Sequence, residues 1–329
     1  MKRSLPVLCV LALAGGAALA ECPPAPPAMR DIKAQGYYID SKNSIVDEDK
    51  RRQNLEMTKP LNDYLRRIAE WSDDRRQEGQ GACAAAWLDG WAAGGAMLGE
   101  MVHVNNDQSD YMRQWELDGA AIVYLKVKAV ATPEQRARIE PWLAEIARRN
   151  LDYWSDAKKH RNNHYYWTGV GVLATGAAIG DQALIEQGKA IYRKGLGDIE
   201  DDGTLPMEMA RGEKALHYHN YALAPLVVMA EIGTRLTGED WYGWRDRRID
   251  LLAERVLSGW RDSAFFAEAT GLAQEKLAGH TDVGWVEFYR RRAPNPARFE
   301  DLHQAGPYDE PRLGGNLTLM ADRSGSSGW

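Results

Sequence analysis

The chain has 329 residues, 44% of them hydrophobic and 27% charged, with a net charge of −6. That length supports one large or two small domains with a real core, and that composition excludes a disordered chain, a collagen-like repeat and a protein of several membrane spans. The acidic balance leaves no nucleic-acid footprint, while 12 Trp and 14 Tyr beside 4 Phe supply aromatics with a polar edge, suited to a wet sugar groove as well as to a core.

At the N-terminus Lys2 and Arg3 precede an apolar stretch from Leu5 to Ala14 and the A-x-A site Ala18-Leu19-Ala20. This is the pattern of a secretory signal peptide over residues 1–20. Glu21 stands where a lipoprotein signal needs a small residue, so no lipid anchor is expected on Cys22. The mature chain is therefore expected in the periplasm or outside the cell, with a net charge of about −8. Cys9 leaves with the leader, and the remaining Cys22 and Cys83 of an exported chain read as one disulfide. Pro23, Pro24, Pro26 and Pro27 make residues 22–28 an extended arm, tied down through Cys83.

Helical signals dominate residues 50–257. Leu61, Leu65, Ile68 and Ala69 repeat at amphipathic spacing, as do Ile139, Leu143, Ile146 and Ala147. Further helices are predicted over 84–100, 111–130, 164–180, 183–193, 216–236 and 249–257. Helix boundaries fall at Thr132-Pro133, Gly180-Asp181 and Thr237-Gly238. No convincing period-2 run marks a strand, so the fold class is all-α, built of serial hairpins. After Ala293 the prolines 294, 296, 307 and 311 predict a wrapping loop, and residues 324–328, Ser and Gly only, a disordered tail. Residues 21–323 then form a single domain, expected to be a monomer.

Two segments carry chemistry: Asn162-Asn163-His164-Tyr165-Tyr166-Trp167, and the run from Arg211 through His217-Tyr218-His219-Asn220-Tyr221. Asn at a helix start is a natural cap, so the bland reading of the first is a capped helix with a satisfied His. In the second, Arg211 and Tyr218 are seven apart, two turns on one face if both are helical. His217-x-His219 has metal-ligand character, but no Cys or carboxylate set accompanies it at ligand spacing, and no metal or other cofactor is expected.

Together the two segments resemble polysaccharide lyase family 5, the alginate (polymannuronate) lyases, through their Asn-Asn-His-x-Tyr-Trp and Arg-x6-Tyr-His-x-Tyr-Ala-Leu motifs. Cys22-Pro23-Pro24, Ser41-Lys42, Cys83 leading to Trp87-Leu88, Met112-Arg113-x-Trp115 and Arg312-Leu313-Gly314-Gly315 follow the family's order along most of the chain. The resemblance implies an α/α toroid with a deep groove, an anionic polysaccharide as partner and substrate, and β-elimination at a uronate. That reaction removes the C5 proton and expels the C4 glycosidic oxygen. The C5 proton is barely acidic beside an ionised carboxylate, so the carboxylate must be neutralised and the developing enolate stabilised. The family pattern assigns this to Asn163, His164 and Arg211, with Tyr218 as proton handler, its phenolate favoured by nearby cations such as Arg211.

Stereochemistry divides the roles. In D-mannuronate the C5 proton and C4 oxygen share a face, so Tyr218 can serve as both base and acid in a syn elimination. L-Guluronate would need His164 as base and Tyr218 as acid. Glucuronate is also syn and differs from mannuronate only at C2. Asp107-Gln108 and Asp110 stand where the family pattern has a His-Thr pair and a Lys, His217 replaces a small residue and Tyr165 a small polar one. These departures leave the catalytic quartet and bear on the substrate.

Ser41, Lys42, Asp107, Gln108, Trp167, His217 and Arg312 are expected to bind substrate. Lys42 equally suits a solvated charge, and Arg312 a structural salt bridge. Trp167 is placed at the groove as a stacking ring rather than in the core. The leading expectation is a metal-independent polymannuronate lyase, with a broader polyuronate lyase that takes glucuronate polymers and hyaluronan as the alternative. Two rivals lie outside the class. A glycoside hydrolase needs a carboxylate pair, for which Asp198, Glu200, Asp201, Asp202 and Glu208 are candidates, otherwise a solvated turn. A non-catalytic polysaccharide-binding or scaffold protein would tolerate loss of Tyr218.

Overall fold

The structure, a computed structural model, describes residues 22–74, 79–277 and 283–323. The leader expected over residues 1–20 and the tail after 323 lie outside them. The chain starts as the extended arm, with Cys22 bonded to Cys83. Prolines offer carbonyls and no N–H, and the arm's carbonyls meet indole donors: Trp87 Nε1 donates to Pro23 O at 2.8 Å and Trp91 Nε1 to Pro26 O at 3.0 Å. The arm runs into β1 (Ile32–Ala34), which pairs in parallel with β2 (Met101–His103). At three residues each, these strands are too short to leave an alternation in the sequence.

The body is helical: α1 (Glu48–Asp73), α2 (Gln80–Ala93), α3 (Gln108–Val127), α4 (Pro133–Tyr153), α5 (Asn163–Ile179), α6 (Gln182–Asp198), the one-turn α7 (Pro206–Met209), α8 (Ala215–Thr237) and α9 (Trp244–Arg261), the last interrupted by left-handed Arg245, Asp246 and Arg247. Neighbours in space alternate: α1, α3, α5 and α8 form an inner series, and α2, α4, α6 and α9 pack outside it. This is an incomplete α/α toroid.

Sequence separates the two layers. α4 buries Ile139, Leu143, Ile146 and Ala147 and exposes Arg138 and Arg148, the one-sided pattern of an outer helix. α5 is apolar all round and is gripped on several sides. A Cβ on Gly169 would lie 2.5 Å from Met229 Sδ, and one on Gly171 2.5 Å from Asp118 Oδ1, which instead accepts Gly171 N–H at 2.9 Å. The boundaries follow local chemistry: Thr132 and Gln135 form a capping box on α4, Asp181 caps α6, and Gly180 and Gly238 end α5 and α8 in the left-handed region.

Two expectations need correction. The helix predicted over 84–100 stops at Ala93, because Gly95 and Met97 take positive φ and turn the chain into β2. The segment after Ala293 is more ordered than a loop: helical turns occupy Pro296–Phe299, Glu300–Gln304 and Leu317–Asp322, and Asp309–Glu310 pairs with Gly315–Asn316. Asp73 at the end of α1 pins it by accepting from Lys126 Nζ and Asn316 N, both at 2.8 Å. This fixes Arg312 beside α3. Among the described residues no helix is long and apolar enough to cross a membrane.

Candidate active site

A cavity of about 1090 Å³ opens on the inner series, and His164, Arg211, Tyr218 and Arg312 all line it. The start of α5 is set by Asn162, whose Oδ1 accepts His164 N–H at 3.2 Å. Held there, His164 faces the cavity while Asn163 turns back into the protein, 0% exposed. Asn163 donates its backbone N–H and its Nδ2 to Glu208 Oε1, at 3.1 and 2.8 Å. Glu208, itself 1% exposed on α7, sets its other oxygen 3.5 Å from Arg211 Nε. One buried carboxylate therefore ties the α5 start to Arg211. Burial pushes Glu208 up from the usual carboxylate range, against the charge of Arg211 and the Asn163 donors.

The His164 ring stacks on Tyr111, centroids 3.9 Å apart and planes within 8°, and its Nδ1 has no hydrogen-bond partner. Burial first, then the charges of Arg211 and Arg312, push its pKa down to about 3. His164 is thus a neutral imidazole across the working pH range.

Arg211 is not helical, so the expectation of two turns on one helical face is corrected: it precedes a 3-10 turn (Gly212–Lys214) that Gly212 enters at φ +62°. Its guanidinium nonetheless lies 4.4 Å over the Tyr218 ring. The Tyr218 hydroxyl donates to Tyr38 Oη at 2.8 Å. Burial, together with Tyr38, raises Tyr218 well above the ordinary phenol value, and Arg211 only opposes this. Arg211 favours the phenolate, as expected, but burial outweighs it and the phenol is neutral.

Tyr38 belongs to a strap, residues 35–47, that borders the cavity through Tyr37, Tyr38 and Asn43. Gln35 N–H donates to Asn54 Oδ1 at 3.0 Å, Gly36 N–H to Asn105 Oδ1 at 2.7 Å, and Asp47 N–H to Tyr37 O at 2.7 Å. Asp40 gathers the N–H groups of Lys42, Ser44 and Ile45 into a tight turn. That turn leaves Ser41 and Lys42 exposed at its tip, beside Asn43 on the cavity wall; Lys42 contributes its carbonyl, which accepts from Arg211 Nη1 at 3.2 Å.

Asp107, Gln108, His217 and Arg312 do line the cavity. The Arg312 guanidinium lies 4.2 Å over the Trp115 ring, and His217 stacks parallel to Tyr221 at 6.3 Å. Trp167 is corrected to the core: it is 2% exposed, its Nε1 donates to Tyr221 O at 3.1 Å, and the Tyr221 ring takes the place on the wall. Asn163 likewise stands behind the wall. Sequence reasoning missed Glu208, which it placed in a solvated turn, together with Tyr38, Tyr111 and Lys159. Tyr38 alone left a signal, three residues ahead of Ser41-Lys42.

For a metal, His103, Asp107 and Asp110 bring donor atoms within 4.8 Å of one another. Protein cations already serve both carboxylates, Lys159 at 2.6 Å from Asp107 and Arg113 at 3.2 Å from Asp110. His219 spends both ring nitrogens on backbone, Nε2 accepting from Leu205 N–H at 2.8 Å and Nδ1 donating to Ala215 O at 2.7 Å, so His217 and His219 do not chelate together. The five carboxylates considered for a hydrolase are absent from the described cavity wall: Asp201 is exposed and paired with Arg248, and Glu208 is committed to Asn163 and Arg211.

The toroid of helices thus gathers a neutral imidazole, a phenol and two guanidinium groups around one open cavity. The profile of the alginate lyase family matches residues 31–266, and the chain belongs to that family. It is 54% identical over 312 residues to a polysaccharide lyase of Stenotrophomonas maltophilia, covering 94% of this chain and 93% of that one. It is 31% identical over 318 residues to an alginate lyase of Azotobacter vinelandii, covering 92% and 84%. Among solved structures, alginate lyase A1-III complexed with a tetrasaccharide superposes with a TM-score of 0.77 at 26% identity, covering 92% of this chain and 85% of that one.

Proposed function

We propose that this lyase is exported to the periplasm or beyond and cleaves 1,4-linked polyuronates, poly-β-D-mannuronate first, by syn β-elimination through residues 21–323 acting as a single-domain monomer. The observation that carries the reading is the convergence of the Tyr218 hydroxyl, the Arg211 guanidinium and the His164 imidazole on one cavity. The reacting form is the phenolate, reached when the Tyr218 hydroxyl gives its proton to solvent; its oxygen takes the C5 proton, the C5–H electrons form the C4=C5 double bond, and the C4–O bond breaks. The same oxygen returns the proton to the leaving glycosidic oxygen on the same face. Arg211 and Arg312 neutralise the uronate carboxylate, the step that makes C5 acidic. His164, neutral, offers a hydrogen bond to the developing enolate, and Asn163 acts from behind the wall by fixing the α5 start through Glu208. The Cys22–Cys83 bond supports an oxidising compartment.

A broader polyuronate lyase is the second reading. His217 beside Tyr218 and the Asp107 carboxylate on the wall favour it, and the 54% identical relative carries a name without a stated polymer. The test offers purified protein polymannuronate, polyguluronate, polyglucuronate and hyaluronan separately in chelator, and follows the ultraviolet absorbance of the conjugated unsaturated uronate. Product from polymannuronate above all others is expected. A comparable rise on glucuronate polymers makes the broader reading primary, and no rise on any polymer contradicts both.

A further inference from the structure

Asp107 is an odd residue for the wall of a groove that takes polyanions. It precedes α3 at the helix cap position, yet its side chain makes no capping bond. Its carboxylate is spent elsewhere: Oδ2 lies 2.6 Å from Lys159 Nζ and accepts the Tyr153 hydroxyl at 2.8 Å. The ammonium of Lys159 also sits 4.2 Å over the Tyr153 ring. Asp107, Tyr153 and Lys159 all line the cavity, and the ion pair is half-open, its side chains 31% and 26% exposed. His103 bonds Asp110, which Arg113 serves in turn, so that neighbouring set is closed on itself.

The pair stands next to the reaction centre. The Tyr153 hydroxyl is 3.4 Å from that of Tyr111, and Tyr111 is the ring stacked on His164. On the polyuronate reading, a uronate unit adjoining the one being cleaved comes within reach of this pair, which lines the same cavity. Its carboxylate meets a cation that already has an anion.

We propose that Asp107 is a built-in counter-ion that competes with substrate carboxylates for Lys159, and so sets how strongly the groove holds densely charged polyuronates relative to sparsely charged ones. The inference rests on the polyuronate reading above. Hydrogen bonds from Lys159 and Tyr153 more than offset the upward push of burial on Asp107, so the competitor is ionised through the neutral range. With Asp107 in place, a polymer carrying a carboxylate on every sugar gains little over hyaluronan, which carries one on every second sugar. Without it, Lys159 becomes a full extra cation for a polyanion and binding gains one more counter-charge.

The test measures calorimetric affinity for oligomannuronate and for hyaluronan oligosaccharide across a salt series, in a Tyr218→Phe background that does not consume the ligand. Asp107→Asn keeps the side chain's size and its acceptor for Tyr153. It is expected to tighten oligomannuronate binding about three- to tenfold, with a steeper salt dependence and a smaller change for hyaluronan. Adding Lys159→Gln should cancel the gain. Weaker or unchanged binding by Asp107→Asn overturns the proposal, as does a gain that survives Lys159→Gln. Should the protein with Tyr218 intact cleave none of the polymers and the Tyr218→Phe protein bind none, the polyuronate reading falls and takes this inference with it.

Discussion

Two regions reach the same chemistry by different routes. On the back wall, Asn163, Glu208 and Arg211 are buried and bonded to one another, with one carboxylate holding two backbone segments in register. On the strap, Tyr38 and the Lys42 carbonyl touch Tyr218 and Arg211 from a segment whose turn at Ser41, Lys42 and Asn43 is exposed. Buried, cross-linked polar groups fix geometry, because any displacement leaves an unpaired charge without water. An exposed turn tolerates displacement, because water replaces what it loses. The wall therefore carries the precision of the site, and the strap adds a hydrogen bond and a carbonyl that the chemistry can lose in part.

The largest effect should come from the group that both regions address. Tyr218→Phe removes the proton acceptor and donor together, and kcat on polymannuronate should fall about a thousandfold or more with an unchanged helical spectrum. Retained activity would remove Tyr218 from the mechanism. Glu208→Gln keeps the size of the wall's tie but not its charge, and leaves Arg211 without its buried partner. A loss of about a hundredfold in kcat/KM is expected, with a Tm that falls by several degrees. A loss of stability with full activity would show that the tie only supports the fold.

The strap should prove gentler. Tyr38→Phe removes one acceptor for the Tyr218 hydroxyl, and a change of about three- to tenfold in kcat/KM is expected, far below that of the Glu208 variant. A larger effect than Glu208→Gln would invert the comparison. The smallest effect on turnover belongs to the arm's anchor. Replacing Cys22 and Cys83 by Ser opens a loop closed across a separation of 61 residues, at a cost of about 4 kcal/mol in chain-entropy terms. Denaturant unfolding should report that loss, while kcat stays near its original value where the protein remains folded, because Trp87, Trp91 and the β1–β2 pairing still hold the arm.

What the sequence showed was what local chemistry controls. Periodicity at Ile139, Leu143, Ile146 and Ala147, the cap at Thr132 and the stops at Gly180 and Gly238 all write helix ends into neighbouring residues, and the all-α class followed; the toroid was implied by the family resemblance alone. The motifs around His164 and Tyr218 located the cavity because both stand at helix starts that open on it. What stayed hidden was tertiary. Glu208 looks like any acidic turn residue until Asn163 and Arg211 close over it. Trp167 fell on the wrong side because only the packing of Tyr221 decides which ring meets solvent. The rise at Tyr218 stayed hidden for the same reason: the sequence supplies Arg211, which favours the phenolate, but the burial that outweighs it is a property of the folded cavity.

The central claim is that Tyr218, not His164, moves the proton. The pH dependence of kcat/KM on polymannuronate tests it most directly. With the His164 pKa near 3 and that of Tyr218 raised, the rate should climb about tenfold per pH unit from about pH 5 through 8 with no break. A plateau reached near pH 6 to 7 that His164→Gln abolishes would make His164 the base and contradict this account.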